Sequence, residues 1–228
     1  MCGRLTITTQ SRERIQTAFP WLDVSDWRGG RFNVAPSQDV AAVLSERPDA
    51  LAWVRWGFVP RWSKDGKAAM INARAETLAE KPSFRDAYKR RRCLILADGF
   101  FEWEAVPGQK QKQPHYFRLR GGDMFAFAGL FEAWTAPDGT ASLGCCIITT
   151  APNELLAKIH DRMPVILTGD RCQRWLAAGP PQPDLLASYP AERMESWKVA
   201  TLVNNARLDD SRCVDPVALN GKPQSPPP

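Results

Sequence analysis

The chain has few of the residues that usually hold metals. It has only two histidines, His115 and His160, and its six cysteines show no CxxC spacing. A structural zinc ion usually needs four closely spaced Cys or His ligands, so the sequence predicts no metal and no metal cofactor. In a reducing compartment the cysteines are expected to be buried thiols rather than disulfides.

Long apolar runs are also absent, since none approaches the ~20 residues of a membrane span. Charged residues at positions 12–14 interrupt the basic-then-apolar pattern that a secretion signal would show. The sequence therefore predicts a cytoplasmic protein without a membrane partner. A length of 228 residues suits one domain with a sizeable core, and a monomer is expected.

Positive charge is concentrated in the middle of the chain. Residues 55–120 hold 15 Lys and Arg against 7 Asp and Glu, a net +8, whereas the remainder holds 15 against 18. This distribution indicates a surface that binds a polyanion. The alternative is that the run Lys89-Arg90-Arg91-Arg92 is only the solvated end of a helix, where cations complement the helix dipole.

The hydrophobic pattern predicts more strands than helices. Short apolar or alternating runs predict strands over residues 40–44, 51–56, 93–97, 116–119, 124–130, 145–149, 165–167 and 199–203. Helical patterns cover residues 11–19, 83–90, 150–159 and 170–178, the second of them opened by Ser83 and Asp86 at capping-box spacing. The sequence thus predicts an α+β fold with a mainly antiparallel, barrel-like sheet and short flanking helices. This single domain would span residues 1–218, followed by a disordered Pro-rich tail over residues 219–228.

Cys2 is the most informative single residue, because it follows Met1 and precedes Gly3. A small side chain at this position favours removal of the initiator methionine, which would leave Cys2 with a free α-amine beside its thiol. Such a 1,2-aminothiol condenses with an aldehyde to a Schiff base, and the thiolate closes the ring to a thiazolidine. The amine and the thiol normally titrate near ~8 and ~8.5, so both nucleophilic forms are expected at neutral pH. The alternative is a cysteine near a flexible chain end.

Two titratable residues are candidates for proton transfer. Glu102 lies between Phe101 and Trp103, where partial desolvation would raise its pKa towards neutrality, as suits a general acid or base. Otherwise it is a surface carboxylate between inward aromatics. His160 follows a predicted helix and has the pKa range of an acid–base catalyst, unless it only caps that helix. The other histidine, His115, is expected to face solvent.

Two further segments carry side chains that suit a nucleic acid. Asn72 could bind an amine or a carbonyl oxygen, and Arg74 could bind a phosphate through two hydrogen bonds, unless both belong to a polar loop. The stretch that ends at Trp62 interleaves Trp with Arg, which would stack on bases if exposed and form core if buried. We expect Trp62 at the surface and Trp53 or Trp56 in the core.

Six segments follow one another along the chain between about residues 2 and 210. They are Met1-Cys2-Gly3-Arg4, Arg31-Phe32-Asn33-Val34-Ala35-Pro36, Trp56-Gly57-Phe58-Val59-Pro60-Arg61-Trp62, Ile71-Asn72-Ala73-Arg74-Ala75-Glu76-Thr77, Ala97-Asp98-Gly99-Phe100-Phe101-Glu102-Trp103 and Ile159-His160-Asp161-Arg162-Met163-Pro164-Val165. In this order they resemble the SRAP family, the SOS-response-associated peptidase domain. The departures, at Phe101 and Met163, do not touch the chemistry.

The resemblance implies a sensor of abasic sites in single-stranded DNA that needs no cofactor and is nucleoid-associated when bound to DNA. The opened deoxyribose of an abasic site is an aldehyde, with which Cys2 would form a thiazolidine cross-link that shields the lesion. By the same resemblance Asn72 positions the Cys2 amine or the sugar, and Glu102 and His160 transfer protons as the cross-link forms and reverses. The implied DNA contacts are Arg4, Asn33, Pro36, Trp62, Arg74 and Arg162. The family name further implies that the protein removes Met1 itself, as a hydrolase or protease, beside the lyase-like cross-linking.

Three other functions remain open at this point. An N-terminal-nucleophile amidohydrolase would use Cys2 on an amide and would need an oxyanion hole. A peptidase would act on other proteins. A non-catalytic reader would bind single-stranded DNA, and its Cys2 would be incidental.

Overall fold

The computed structural model describes residues 2–217, so the predicted tail over 219–228 lies outside the described residues. The strands are β1 (Leu5–Ile7), β2 (Arg31–Val34), β3 (Asp39–Leu44), β4 (Arg47–Trp56), β5 (Asn72–Arg74), β6 (Arg92–Ala97), β7 (Gly99–Glu104), β8 (Gln113–Leu119), β9 (Phe125–Thr135), β10 (Ala141–Thr150), β11 (Met163–Pro164), β12 (Ile166–Leu167) and β13 (Met194–Lys198). The α-helices are α1 (Arg12–Ala18), α2 (Arg85–Arg90) and α3 (Asp170–Leu176).

Five strands close into a barrel. They follow the order β10-β4-β3-β6-β9, and β9 pairs back onto β10. The short strands β5, β11 and β12 extend this sheet at its ends. The pairings are antiparallel except for those of β10 with β4 and with β5. The α+β fold with a mainly antiparallel, barrel-like sheet is thereby confirmed.

A second, antiparallel sheet covers one side of the barrel in the order β13-β8-β7-β1-β2. Phe100 of β7 stacks on Phe117 of β8, with ring centroids 5.2 Å apart, and meets Phe127 of the barrel edge-on. These fully buried rings belong to one apolar cluster shared by both sheets. The packing fixes the second sheet, and with it the N-terminal segment, against the barrel.

Only two of the four basic residues in the run that ends at Arg92 lie at the surface. Lys89 and Arg90 are exposed in the last turn of α2, whereas Arg91 and Arg92 are buried. The Arg92 guanidinium donates to backbone carbonyls, including those of Tyr88 and Trp175. Two of the charges counted for a polyanion-binding surface therefore hold α2 and α3 onto the barrel instead.

Three local predictions are wrong. The predicted helix over 150–159 is a loop with one 3-10 turn, Leu156–Lys158, because the Asn153 side chain accepts the N–H groups of the residues two and three positions on. The predicted strand over 199–203 ends in a 3-10 turn, and the strand lies earlier, at β13. Helix α2 begins at Arg85 without a side-chain cap, so Ser83 forms no capping box.

Candidate functional site

The N-terminal segment is held beside β7 by strand pairing and by a buried carboxylate. Phe101 donates its N–H to the Arg4 carbonyl, at 3.0 Å. Asp98, at the turn into β7, accepts hydrogen bonds from the Thr6 hydroxyl at 2.7 Å and from the Thr8 N–H at 2.6 Å. This arrangement brings Cys2 alongside the strand that carries Glu102.

Gly99, the first residue of β7, leaves room for the Tyr116 side chain of β8. A Cβ atom at Gly99 would lie 2.1 Å from the Tyr116 hydroxyl oxygen, well inside contact distance. That hydroxyl lies 2.9 Å from the Thr6 hydroxyl, so the space beside Gly99 is filled by a hydrogen-bonded network. Gly99 therefore has a packing role.

Asn72 connects the N-terminal segment to the barrel. It lies on β5, which pairs in parallel with β10 through the Ile147 register position. Its side-chain Nδ2 donates to the Cys2 carbonyl oxygen at 2.8 Å. The amide thus fixes the backbone of Cys2 through its carbonyl oxygen, and the expected role of Asn72 toward the Cys2 amine or the sugar stays a prediction.

Cys2 is fully buried, which changes the expectation for its thiol. Burial, reinforced by the nearby charge of Glu102, raises the pKa of the Cys2 thiol far above its usual range. The Sγ atom lies 3.8 Å from the Arg4 carbonyl oxygen. The expectation that the thiolate is readily reached at neutral pH is therefore wrong for this conformation, and the thiol needs a neighbouring base.

Glu102 has the titration range of such a base. It is 3 % exposed, and burial raises its pKa to about 7. The predicted rise is confirmed, although its cause differs from the one expected. Phe101 and Trp103, its neighbours in sequence, pack in the cluster around Tyr116 on the opposite face of β7, so the burial of Glu102 does not come from these two rings.

His160 is half-buried immediately after the 3-10 turn that ends at Lys158. Its Nδ1 accepts the Arg162 N–H at 3.0 Å and lies 2.8 Å from an Asp161 carboxylate oxygen. One ring nitrogen has one in-plane position, so Nδ1 can serve only one of these partners in a given tautomer. Burial lowers the pKa of His160, which favours the neutral ring at pH 7.

Lys112 and Asp161 belong to the same electrostatic site, although neither is among the site residues predicted from the sequence. Both act on the pKa of Glu102 and on that of His160, Lys112 lowering each one and Asp161 raising it. Lys112 is exposed in the loop that leads into β8. Its position just before a strand that pairs with β7 was the available signal, because β7 already carried the candidate carboxylate.

Arg4 and Asn33 lie inside the protein. The Arg4 guanidinium donates to the Asn33 side-chain oxygen at 2.6 Å, and Asn33, fully buried, donates to the Leu208 carbonyl at 2.6 Å. These bonds fasten the segment around residue 208 to the N-terminal strand. Both side chains are buried and form hydrogen bonds within the protein, so in this conformation neither can make its expected contact with DNA. Pro36 lies half-buried just beyond the end of β2, the strand that carries Asn33.

Arg74 and Arg162 lie at the end of the β5–β10 pair, near Asn72. Arg74 is exposed. Arg162 binds both carboxylate oxygens of Glu76, at 2.6 and 2.8 Å, and donates to the Thr149 carbonyl. Arg74 is thus available to bind an anion, whereas Arg162 would first have to release the carboxylate of Glu76.

Trp62 is 59 % exposed at the tip of the loop after β4, while Trp56 is fully buried and donates its ring N–H to the Ile71 carbonyl. The predicted division between core and surface tryptophans is confirmed. Two contacts with β9 hold the loop: Arg61 binds the buried Glu132 carboxylate at 2.8 Å, and the Trp134 ring N–H donates to the loop at Ser63. The aromatic surface of Trp62 is therefore presented on a fixed support.

His115 is not the solvent-facing histidine that the sequence suggested. It lies on β8, is 9 % exposed, and has its Nε2 2.9 Å from a Glu104 carboxylate oxygen. Within residues 2–217, no three His, Cys, Asp or Glu side chains are placed to hold a metal ion together. The same residues include no helix long and apolar enough to cross a membrane.

Comparison with known proteins identifies relatives over nearly the whole chain. The abasic site processing protein YoqW of Bacillus subtilis is 41% identical over 224 residues, which cover 94% of this chain and 99% of the relative. The abasic site processing protein HMCES of Xenopus tropicalis is 30% identical over 269 residues, covering 97% of this chain and 80% of the relative. A crystal structure of a protein from Bacteroides thetaiotaomicron shares the fold, with a TM-score of 0.83 over 95% of this chain and 100% of that chain at 24% identity. The family model described as SOS response associated peptidase (SRAP) matches residues 1–206, and the chain belongs to that family.

Proposed function

We propose that this protein processes abasic sites in single-stranded DNA and forms a covalent thiazolidine with them through Cys2 after removal of Met1. The names of the relatives in Bacillus subtilis and Xenopus tropicalis support the choice of lesion. The observation that carries the proposal is the position of Cys2. Asn72 donates a hydrogen bond to its carbonyl oxygen, and the nearby charge of Glu102 helps to raise the pKa of its thiol.

The reaction begins when the abasic deoxyribose opens to its aldehyde. The Cys2 amine adds to the aldehyde carbon, and the resulting carbinolamine loses water to give a Schiff base. The Cys2 sulfur then attacks the imine carbon, and the thiol proton ends on the nitrogen. The product is a thiazolidine, no oxidant or reductant is consumed, and water is the only leaving group.

Glu102 is the proposed base and acid of these steps. With a pKa of about 7, it is available in both protonation states near neutral pH. As a carboxylate it takes a proton from the amine or the thiol, and as an acid it returns one to the departing hydroxyl. His160, neutral and half-buried, is the proposed partner for the sugar ring oxygen and for reversal of the cross-link.

The proposed DNA face combines the aromatic ring of Trp62 with the exposed guanidinium of Arg74, with Pro36 and Arg162 at its edges. A base can stack on an exposed Trp, and Arg can bind a phosphate. Arg4 and Asn33 act behind this face by holding the N-terminal strand. Autocatalytic removal of Met1 and reversal of the cross-link belong to the proposal as further reactions of the same groups.

Adduct formation separates this proposal from the alternatives. The wild-type protein is incubated with an abasic oligonucleotide and run on a denaturing gel, with and without borohydride. We expect a heat-stable adduct without borohydride, which Cys2→Ala abolishes and Cys2→Ser converts to a labile Schiff base that borohydride traps. Cys172→Ala, which removes a buried thiol of α3, is the matched control and should retain the adduct.

A stable adduct in Cys2→Ala would reject the thiazolidine. An amidohydrolase, a peptidase acting on other proteins, or a non-catalytic reader would give no wild-type adduct at all. The reader alone would still bind the oligonucleotide, so binding in the absence of an adduct identifies that alternative.

Electrostatic binding of single strands is tested separately with an unreactive tetrahydrofuran abasic analogue. Affinity should fall steeply with salt and should be weaker for intact duplex. Arg74→Ala should weaken binding by roughly 1–3 kcal/mol if its guanidinium holds a phosphate in a partly desolvated groove. Affinity that does not depend on salt would reject a phosphate-binding face.

A further inference from the structure

A groove of about 440 Å³ lies beside the candidate site, where the charged and polar lining residues of β8 and β13 share the barrel-facing side of the second sheet with Phe117 and Met194. Its charged and polar lining includes Glu104, His115, Lys158 and Lys198, and its apolar lining includes Leu155 and Ile159. This volume is in the range of cavities that bind small organic ligands. None of the functional roles described above uses the groove.

The groove continues directly from the reactive groups. Glu102 pairs across the strands with His115, which pairs in turn with Lys198, so one row of side chains runs from the candidate base into the groove. On the other wall, Ile159 is bonded to His160. A DNA strand whose abasic sugar lies at Glu102 and His160 would therefore find this groove next to the lesion.

The charges of the groove favour an anion. Lys158 and Lys198 are both exposed, and the one carboxylate in the lining, Glu104, lies 3.7 Å from the Lys198 ammonium. Glu104 also accepts from His115, a bond that keeps the pKa of Glu104 low, while burial keeps that of His115 low. At pH 7 the two lysines therefore outnumber the single carboxylate.

The apolar wall suits a sugar or a base rather than a free inorganic anion. The apolar lining residues include Leu155, Ile159, Pro216 and Trp197. A positively charged groove with an aromatic side chain is the combination by which proteins hold single-stranded nucleic acid, and Trp197 is an aromatic residue of this lining.

We propose that this groove binds the nucleotide next to the abasic sugar, with its phosphate on Lys158 and Lys198 and its sugar or base on the apolar wall. The inference rests on the proposed function, because it places the lesion at Cys2 and Glu102. It adds a second contact region to the one proposed around Trp62 and Arg74, and it predicts that the strand is also held at the nucleotide next to the lesion.

Neutral linkages test this assignment. Oligonucleotides carry the unreactive tetrahydrofuran analogue and one methylphosphonate, placed in turn at each linkage on either side of it. Lys158→Gln and Lys198→Gln should each weaken binding of the all-phosphate strand about fourfold at 0.15 M salt and reduce the salt slope by about 0.7. One methylphosphonate position should weaken the wild type by a similar factor and have no further effect in these variants.

Arg47→Gln is the matched control, because it removes one exposed cation from the β3–β4 hairpin, outside the site and the groove. It should leave the response to each methylphosphonate unchanged. Glu104→Gln supplies a change of opposite sign: it keeps an acceptor for His115 but removes the negative charge, so it should tighten binding about two- to fourfold. A purely structural role for this row would weaken binding in every variant.

The inference is overturned if both lysine variants bind like wild type, or if every methylphosphonate weakens the variants as much as it weakens the wild type. This outcome is distinguishable from failure of the proposed function. The adduct assay uses the reactive aldehyde and depends on Cys2, whereas the groove assay uses an analogue that cannot react. A wild-type adduct with unchanged lysine variants rejects the groove alone, and absence of any adduct rejects the proposed chemistry.

Discussion

Glu102 and Glu132 are both 3 % exposed, but their surroundings differ. Glu132, on the barrel strand β9, receives the Arg91 guanidinium at 2.9 Å on one oxygen and that of Arg61 at 2.8 Å on the other. Glu102, on the second sheet, faces Cys2, and burial raises its pKa to about 7. One carboxylate is paired with two guanidinium groups, whereas the other lies where it can gain and lose a proton.

The difference separates a structural carboxylate from a reactive one within the same fold. An ion pair that fixes a loop needs a permanent charge, and its cost of burial is offset by two guanidinium groups. A general acid or base needs a pKa near the working pH, which burial supplies at the expense of stability. The two residues should therefore respond in opposite directions to the same Glu→Gln substitution.

Glu132→Gln should give the largest effect. It leaves Arg91 buried without its buried carboxylate, and we expect a loss of about 3–5 kcal/mol in the free energy of unfolding, measured by urea denaturation. Asp86→Asn is the control, because Asp86 is the exposed partner of the same Arg91 and should cost less than about 1 kcal/mol. Equal losses in the two variants would contradict the assignment of Glu132 as the structural centre of the cluster.

Glu102→Gln should stabilise the protein, but only at higher pH. A carboxyl whose pKa is raised by folding binds its proton more tightly in the folded state, so its contribution to stability falls as pH rises from about 4.5 to about 7. Above pH 7 the wild type should carry a deficit of up to roughly 3 kcal/mol, which the neutral glutamine removes. Unfolding free energies at pH 4 and pH 8 test this; an equal effect at both pH values would contradict it.

Arg61→Gln should give the smallest effect on stability, less than about 1 kcal/mol, because the Arg61 side chain is 63% exposed. Its effect should appear in DNA binding, since Arg61 fixes the loop that presents Trp62. We expect weaker binding of a single strand in Arg61→Gln, and little additional effect of Arg61→Gln once Trp62→Ala is present. Fully additive losses in this double-mutant cycle would show that Arg61 does not act through Trp62.

The sequence predicts the barrel strands well because their apolar runs are long. The buried run of β6 and the alternating run of β4 appear directly in the residue pattern. Strands β1 and β5 have three residues each and are too short for a periodic signal, although they place Cys2 and Asn72. Their pairing depends on partners far along the chain, such as Asp98 with Thr6.

The local sequence predicts which residues of the candidate site are reactive better than it predicts their contacts. It indicates Glu102 and His160, and it predicts that the pKa of Glu102 is raised, but the burial that raises this pKa comes from the packing of the second sheet. The resemblance implies that Arg4 and Asn33 contact DNA, and nothing in their local sequence shows that their hydrogen-bond partners lie near residues 203–208. The burial of the Cys2 thiol likewise depends on the packing of two sheets rather than on its own neighbours.

The most direct test of the reactive role of Glu102 is the single-turnover rate of adduct formation as a function of pH. Wild type is compared with Glu102→Gln, and with Glu132→Gln at a temperature where that variant is folded. The rate of wild type should rise through an inflection near pH 7, and Glu132→Gln should retain that inflection. Glu102→Gln should lose it and react about 10²–10⁴-fold more slowly. A wild-type rate and pH profile in Glu102→Gln would contradict the account, because Glu102 would then be a buried carboxylate without a part in the chemistry.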